Sequence, residues 1–145
     1  MRVMYLKATA HPQSTGKVLA DLLDSDTDKL THLITIIKNI ADIGGHPQPP
    51  NAKPLRGIKE QLSGEIRLKL TADNLLRIYY FVSQEDDAMI LLNFIIKPDG
   101  RNFPARYESN AGKRIQRAIE ESIQLAISLK NDYHLTKNNY EPLTI

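Results

Sequence analysis

Arg67, Lys69, Arg77 and Lys97 are the residues of this sequence whose type and spacing point most directly to chemistry. Each falls in a run that reads as a strand. Side chains alternate between faces along a strand, so odd positions share one face if each hairpin sets odd opposite odd. A short first turn would place Arg67 across from Arg77; a longer one would place Lys69 there. Like charges directly across a sheet repel by a few tenths to about 1 kcal/mol, which a bound polyanion would offset. The plainer alternative is a solvated face whose long basic side chains lie over apolar neighbours. Glu65 and Tyr79 share the parity of the four cations. Glu65 is a candidate general base or, equally, a salt-bridge partner for a basic neighbour. Tyr79 could stack on a base or donate a proton, whereas Tyr80 should point to the core.

Three strands must position these groups. Residues 62–70 alternate, with Leu62, Ile66, Leu68 and Leu70 opposite Glu65, Arg67 and Lys69. Residues 75–83 and 89–96 are richer in β-branched and aromatic types and read as more buried strands. Polar breaks of hairpin length, Thr71–Asn74 and Gln84–Asp87, join them into an antiparallel meander. Ahead of the meander, residues 1–9 read as an edge strand. Residues 17–23 read as a short helix with Val18, Leu19, Leu22 and Leu23 on one side. A second helix carries Leu30, Leu33, Ile34, Ile37, Ile40 and Ala41, with Ser25 or Asp26 as N-cap and Gly44-Gly45 as its stop. The two helices form a hairpin that covers one sheet face and leaves the basic face open. After the sheet, a helix opens near Phe103-Pro104, is regular from Ser109 or Asn110 to about Lys130, and turns Ala111, Ile115, Ala118, Ile119, Ser122 and Ala126 inward. Residues 131–145 lack periodicity and read as a flexible tail.

The whole of 1–145 reads as one α+β domain, of a length able to bury a core without staples. The absence of cysteine removes a disulfide framework and thiolate metal sites, which favours a cytoplasmic address. No apolar run approaches the ~18 residues of a membrane span, and no signal-peptide pattern is present. The four histidines are scattered, no metal-ligand spacing or phosphate-binding glycine loop occurs, and no cofactor is implied. The net charge of +2 is modest, but its distribution is uneven. Residues 53–117 hold twelve of the nineteen Lys/Arg against eight of the seventeen Asp/Glu. Lys113, Arg114 and Arg117 add a basic cluster to the start of the last helix.

Lys53-Pro54-Leu55-Arg56-Gly57, Gly64-Glu65-Ile66-Arg67, Leu76-Arg77-Ile78-Tyr79-Tyr80-Phe81-Val82 and Ile90-Leu91-Leu92-Asn93-Phe94-Ile95-Ile96-Lys97 occur in the order and at the spacing of a known group. Together they resemble the RelE/ParE toxin superfamily, most closely its phage-derived, HigB-like branch. Leu76 stands where that family usually has Tyr, and Asp99-Gly100 replaces the second of its paired lysines. The resemblance implies a RelE-like fold, an N-terminal helical hairpin on a small antiparallel sheet with a C-terminal helix. It implies the toxin of a type II toxin–antitoxin system, a cytoplasmic, ribosome-dependent mRNA endonuclease (an mRNA interferase) that inhibits translation. The reaction would be metal-independent, with the ribose 2′-OH attacking the adjacent phosphate. By carry-over Arg77, Arg67 and Lys97 would bind the reacting phosphate; Glu65 and Tyr79, placed on that face by parity alone, are the proton-transfer candidates. Lys53, Arg56, Lys69, Lys113, Arg114 and Arg117 would contact RNA or the ribosome. The implied partners are a helix-turn-helix antitoxin, the ribosome and mRNA, with no membrane and no small-molecule cofactor. Two alternatives remain: a ParE-like poison of DNA gyrase, and a non-catalytic phage-derived module that binds an antitoxin-like partner.

Overall fold

Six strands build one sheet in the order β2-β3-β4-β5-β1-β6 in the computed structural model, which describes residues 1–55, 61–98 and 110–144. The strands are β1 (Arg2–Leu6), β2 (Ala52–Lys53), β3 (Gly64–Thr71), β4 (Asn74–Ser83), β5 (Ala88–Pro98) and β6 (Tyr140–Pro142). The α-helices among the described residues are α1 (Thr15–Ser25), α2 (Thr27–Asp42) and α3 (Asn110–Asp132). The mixed α+β class and the β3-β4-β5 meander agree with the sequence. The sheet itself is larger than expected and not purely antiparallel, because β1 runs parallel to β5. Nor is β1 an edge: β6 pairs with its other side.

Local chemistry fixes the helices. The Ser14 Oγ accepts from the Lys17 N–H at 3.1 Å and caps α1, and the buried Thr15 hydroxyl donates to the Leu92 carbonyl at 2.9 Å. The helix start is thereby pinned to β5. Asp26 caps α2 through the Lys29 N–H at 3.1 Å. Gly44 and Gly45, at φ of +79° and +81°, turn the chain out of α2 in the left-handed region open to glycine. The Gly45 carbonyl accepts from the Tyr80 hydroxyl at 2.9 Å, tying that turn to the sheet.

Two apolar layers result. Val18, Leu22, Leu33, Ile36, Ile37 and Ile40 from the helical hairpin pack on Ile66, Leu68, Leu76, Ile78, Tyr80, Met89 and Leu91. Leu23, expected on that stripe, is 61% exposed. On the opposite face Ile123, Ala126 and Ile127 of α3 pack on Leu6, Tyr79, Phe81, Ala88, Ile90 and Leu92. Ala111 and Ala118, read as inward-facing, are exposed. Leu62 lies outside β3 and joins this second layer, not the one containing Ile66. The face opposite the hairpin is therefore not open along its whole length. Among the described residues no helix is long and apolar enough to cross a membrane.

The segment read as a flexible tail is part of the fold. After α3 come short 3-10 turns at Tyr133–Leu135 and Lys137–Asn139, and then β6. The Tyr133 ring stands edge-on between Phe81 and Tyr140, with centroids 5.4 and 5.1 Å away. Its hydroxyl donates to Asp86 at 2.7 Å, and Lys137 Nζ reaches the same carboxylate at 3.0 Å. Burial pushes the Tyr140 hydroxyl up to about 12 from 10.0 and raises Tyr79, Tyr80 and Tyr133 as well. A folded pKa above the unfolded one gives stability that is complete below pH 10.0 and lost as pH rises through the folded value. Circular dichroism is expected to hold to about pH 10 and to fall beyond it together with tyrosinate absorbance. Full ionisation at the ordinary tyrosine pKa with an unchanged spectrum would contradict this packing.

Candidate nucleic-acid interface

The basic face is assembled by register. Lys53 on β2 pairs with Glu65 on β3, and across β3 and β4 Glu65 faces Tyr79, Arg67 faces Arg77 and Lys69 faces Leu75. On the far side of β4, Leu75 faces Lys97 and Arg77 faces Ile95. Odd positions 65, 67, 69, 75, 77 and 97 thus share one face, as the parity of the sequence predicts. The rule breaks one step further along. Ile78 pairs with Phe94 but Tyr80 with Leu91, so Leu92 and Asn93 together oppose Tyr79 as a β-bulge. Beyond it the even residues Ile90 and Leu92 occupy the α3 side.

The Arg67 N–H donates away from β4, to the Asn51 carbonyl at 2.7 Å. Arg67 and Arg77 are therefore a non-hydrogen-bonded pair, the arrangement in which antiparallel neighbours come closest, with Cα atoms about 4.5 Å apart. Two guanidinium-bearing side chains thus leave the sheet next to each other.

Glu65 sits beside them at 1% exposure. One carboxylate oxygen lies 3.3 Å from Lys53 Nζ and the other 3.6 Å from Arg77 Nε. Burying a carboxylate is tolerable only with such partners. The structure gives Glu65 the salt-bridge reading, an anchor that holds Arg77.

Tyr79 is on the basic face but wholly covered by α3. The Ser122 Oγ donates to the Ile119 carbonyl at 2.6 Å, so its 2.8 Å contact with Tyr79 is one in which the tyrosine donates. Asn93 Nδ2 donates to the Ser122 carbonyl at 2.9 Å. Desolvation raises the Tyr79 pKa above 10.0. The side chain fastens α3 to the sheet and leaves no ring surface for stacking, which corrects the role expected for it.

Helix α3 covers the Tyr79–Phe81 end of this face. Lys130 Nζ lies 5.9 Å over the Phe81 ring and Ser122 lies at Tyr79, so the earlier turns run on toward Arg77 and Lys97. Those turns carry Lys113, Arg114 and Arg117, all exposed. Arg67 and Lys97 are half-buried, Lys69 is exposed, and the Arg77 side chain is only 12% accessible. A cavity of about 390 Å³ opens at this end, lined by Pro50, Asn51, Arg67, Lys69 and Leu75. Arg56 and the helix opening at Phe103-Pro104 lie outside the described residues. His46 lines a separate hollow with Met1 and Val82, and His134 is exposed on a 3-10 turn.

Sequence reasoning missed Ser122 as the fastening residue, and Pro50 and Asn51 as cavity walls. A serine in an otherwise apolar helix stripe was the available signal for the first. The other two lie in a proline-rich loop without periodicity, where no pattern marks them. No family model, curated protein or solved structure matches this chain.

Proposed function

We propose that the chain is a RelE-like toxin of a type II toxin–antitoxin pair, and that its basic sheet face binds and cleaves mRNA on the ribosome. The observation that carries this reading is the Arg67–Arg77 pair at closest cross-strand spacing, with Lys53, Lys69 and Lys97 on the same face and one buried carboxylate among them. A phosphodiester seated there would neutralise the pair. In the cleavage step the 2′-hydroxyl gives its proton to solvent as its oxygen bonds to phosphorus. The bond to the 5′-oxygen breaks, that oxygen takes a proton from solvent, and a 2′,3′-cyclic phosphate is left. The extra negative charge of the phosphorane falls to Arg67 and Arg77. Preorganised cations supply their stabilisation where that charge develops, and guanidinium matches phosphate oxygens in bidentate fashion. Glu65 fixes the position of Arg77. Lys113, Arg114 and Arg117 extend the surface along α3 toward ribosomal RNA.

The burial of both Glu65 and Tyr79 favours a second reading, a binding module on the same face without cleavage. Arg67→Ala separates the two, and it should leave the fold intact because it relieves the repulsion with Arg77. Induced wild-type protein is expected to arrest bacterial growth and to produce new 5′ ends within translated transcripts, both lost in the variant. Arrest with DNA damage and no new transcript ends would point to a gyrase poison. Absence of arrest would leave the binding module.

A further inference from the structure

A different cavity, of about 370 Å³, lies where the helical hairpin meets β1 and β6. Leu19 and Leu23 of α1, with Leu30 and Ile34 of α2, make its walls apolar. Leu23 is a large apolar side chain left 61% exposed there. Glu141 is the one charged residue among the described lining residues, and it stands directly across from Tyr5 in the β1–β6 register. Burial and the neighbouring Glu141 carboxylate raise the Tyr5 pKa above 10.0, so in their hydrogen bond the phenol donates. Among the described residues no lysine or arginine forms an ion pair with Glu141. The half-buried carboxylate therefore keeps acceptor capacity and an unbalanced charge beside apolar surface. The surrounding field has the same sign. Residues 18–28 hold Asp21, Asp24, Asp26 and Asp28 and no Lys or Arg, and the last turn of α1 has no basic residue to offset the helix dipole.

The neighbouring sheet edge offers no donor to an added strand. The Leu143 N–H donates to the Val3 carbonyl at 2.8 Å and the Lys7 N–H to the Asn139 carbonyl at 2.9 Å, so odd positions of β6 turn their backbone toward β1. Tyr140 and Pro142 turn theirs outward. The Tyr140 N–H is already engaged by the Lys137 carbonyl, and Pro142 has none. An occupant is therefore held within the cavity itself. A plain hydrocarbon would leave Glu141 idle, and an anion would be repelled by it; an ammonium group on an apolar body uses both surfaces. A volume of about 370 Å³ is at the lower end of small-ligand sites. We infer that this cavity binds a small apolar amine, its hydrocarbon body between Leu19, Leu23, Leu30 and Ile34 and its ammonium group on the Glu141 carboxylate. The site is separate from the arginine pair. It lies on the hairpin face of the sheet and beside β6, whereas Arg67 and Arg77 stand on the other face toward the opposite edge.

The test is a titration of the full chain with n-hexylamine, n-hexanol and hexanoate at pH 7, followed by amide NMR shifts. Hexylamine is expected to saturate one site, with shifts centred on Leu23, Ile34 and Glu141. It should bind about tenfold tighter than hexanol, the worth of a hydrogen bond to a charged group, and hexanoate should be weakest. Glu141→Gln should bring amine and alcohol to equal affinity. Ala20→Trp adds bulk to the lining from an exposed helix position and should block both ligands without loss of stability. Equal binding of amine and alcohol by the wild type, an amine preference that survives in Glu141→Gln, or no saturable binding at all would overturn the site. Two further outcomes would reassign it and so overturn the free ligand. One is Nα-acetyl-lysine N-methylamide binding as tightly as hexylamine, which would give the cavity to a lysine of a protein partner. The other is a dimer in sedimentation that Ala20→Trp abolishes, which would give it to a second copy of this chain. None of these outcomes bears on the RNA reading of the arginine face.

Discussion

Arg77→Ala is expected to lose about 3 kcal/mol of stability, since removing one partner of a buried ion pair costs ~3–5 kcal/mol. On sequence grounds alone the same variant would keep its fold, because an arginine in a cleft is dispensable to packing. The structure changes that expectation. Glu65 is 1% exposed, and its Oε2 has Arg77 Nε at 3.6 Å, with Lys53 on the other oxygen. Without the guanidinium, a buried carboxylate retains only a lysine that is itself 45% exposed. Adding Glu65→Gln to Arg77→Ala removes the stranded charge and should recover at least half of the loss in urea melts. A single variant as stable as the wild type would show that the carboxylate is satisfied without Arg77. It follows that loss of toxicity in Arg77→Ala would be ambiguous, whereas the same loss in Arg67→Ala would report on phosphate contact.

A still larger effect is expected at the C-terminal end of the described chain. Truncation after Asp132 removes Tyr133 and Tyr140, both buried, together with the strand that flanks β1. Deleting one large buried aromatic side chain costs ~3–5 kcal/mol, and domains of this kind hold only about 5–15 kcal/mol in total. The truncated protein should therefore fail to fold, and Tyr140→Ala alone should show a clear loss in thermal melts. Truncated protein with a native-like melting transition would return residues 133–144 to the status of a dispensable tail.

The legible parts of the fold were those in which type alternates. The Glu-x-Arg-x-Lys spacing at 65–69 marked β3 and, with Arg77 and Lys97, the shared face, but it left open whether Arg67 or Lys69 stands opposite Arg77, which the pairing resolves as Arg67. The helical hairpin was legible from its apolar stripe and its caps. The bulge at Leu92-Asn93 was not, because it lies in a nearly continuous apolar run that carries no period. The tail was not legible either, since Tyr133 is held by contacts with Phe81 and Asp86, and Tyr140 pairs with Leu6, all far away in sequence. Burial of Glu65 ran against its residue type, because charged side chains are rarely buried unless paired. Whether β1 lay at an edge, and whether it ran parallel to β5, depended on long-range pairing that five residues do not encode.

That placement of β1 has a kinetic side. Residues 2–6 form their sheet contacts with residues 88–91 and with 140–142, so β1 has no sheet neighbour until residues 88–91 have been synthesised. Contacts of such large sequence separation slow folding, because the loop-closure entropy is spent before the pairing repays it. During synthesis the flank of β5 that β1 will occupy is an unpaired edge, open to other extended segments. The sheet that carries the arginine pair is completed only once residues 140–142 are present to pair with β1.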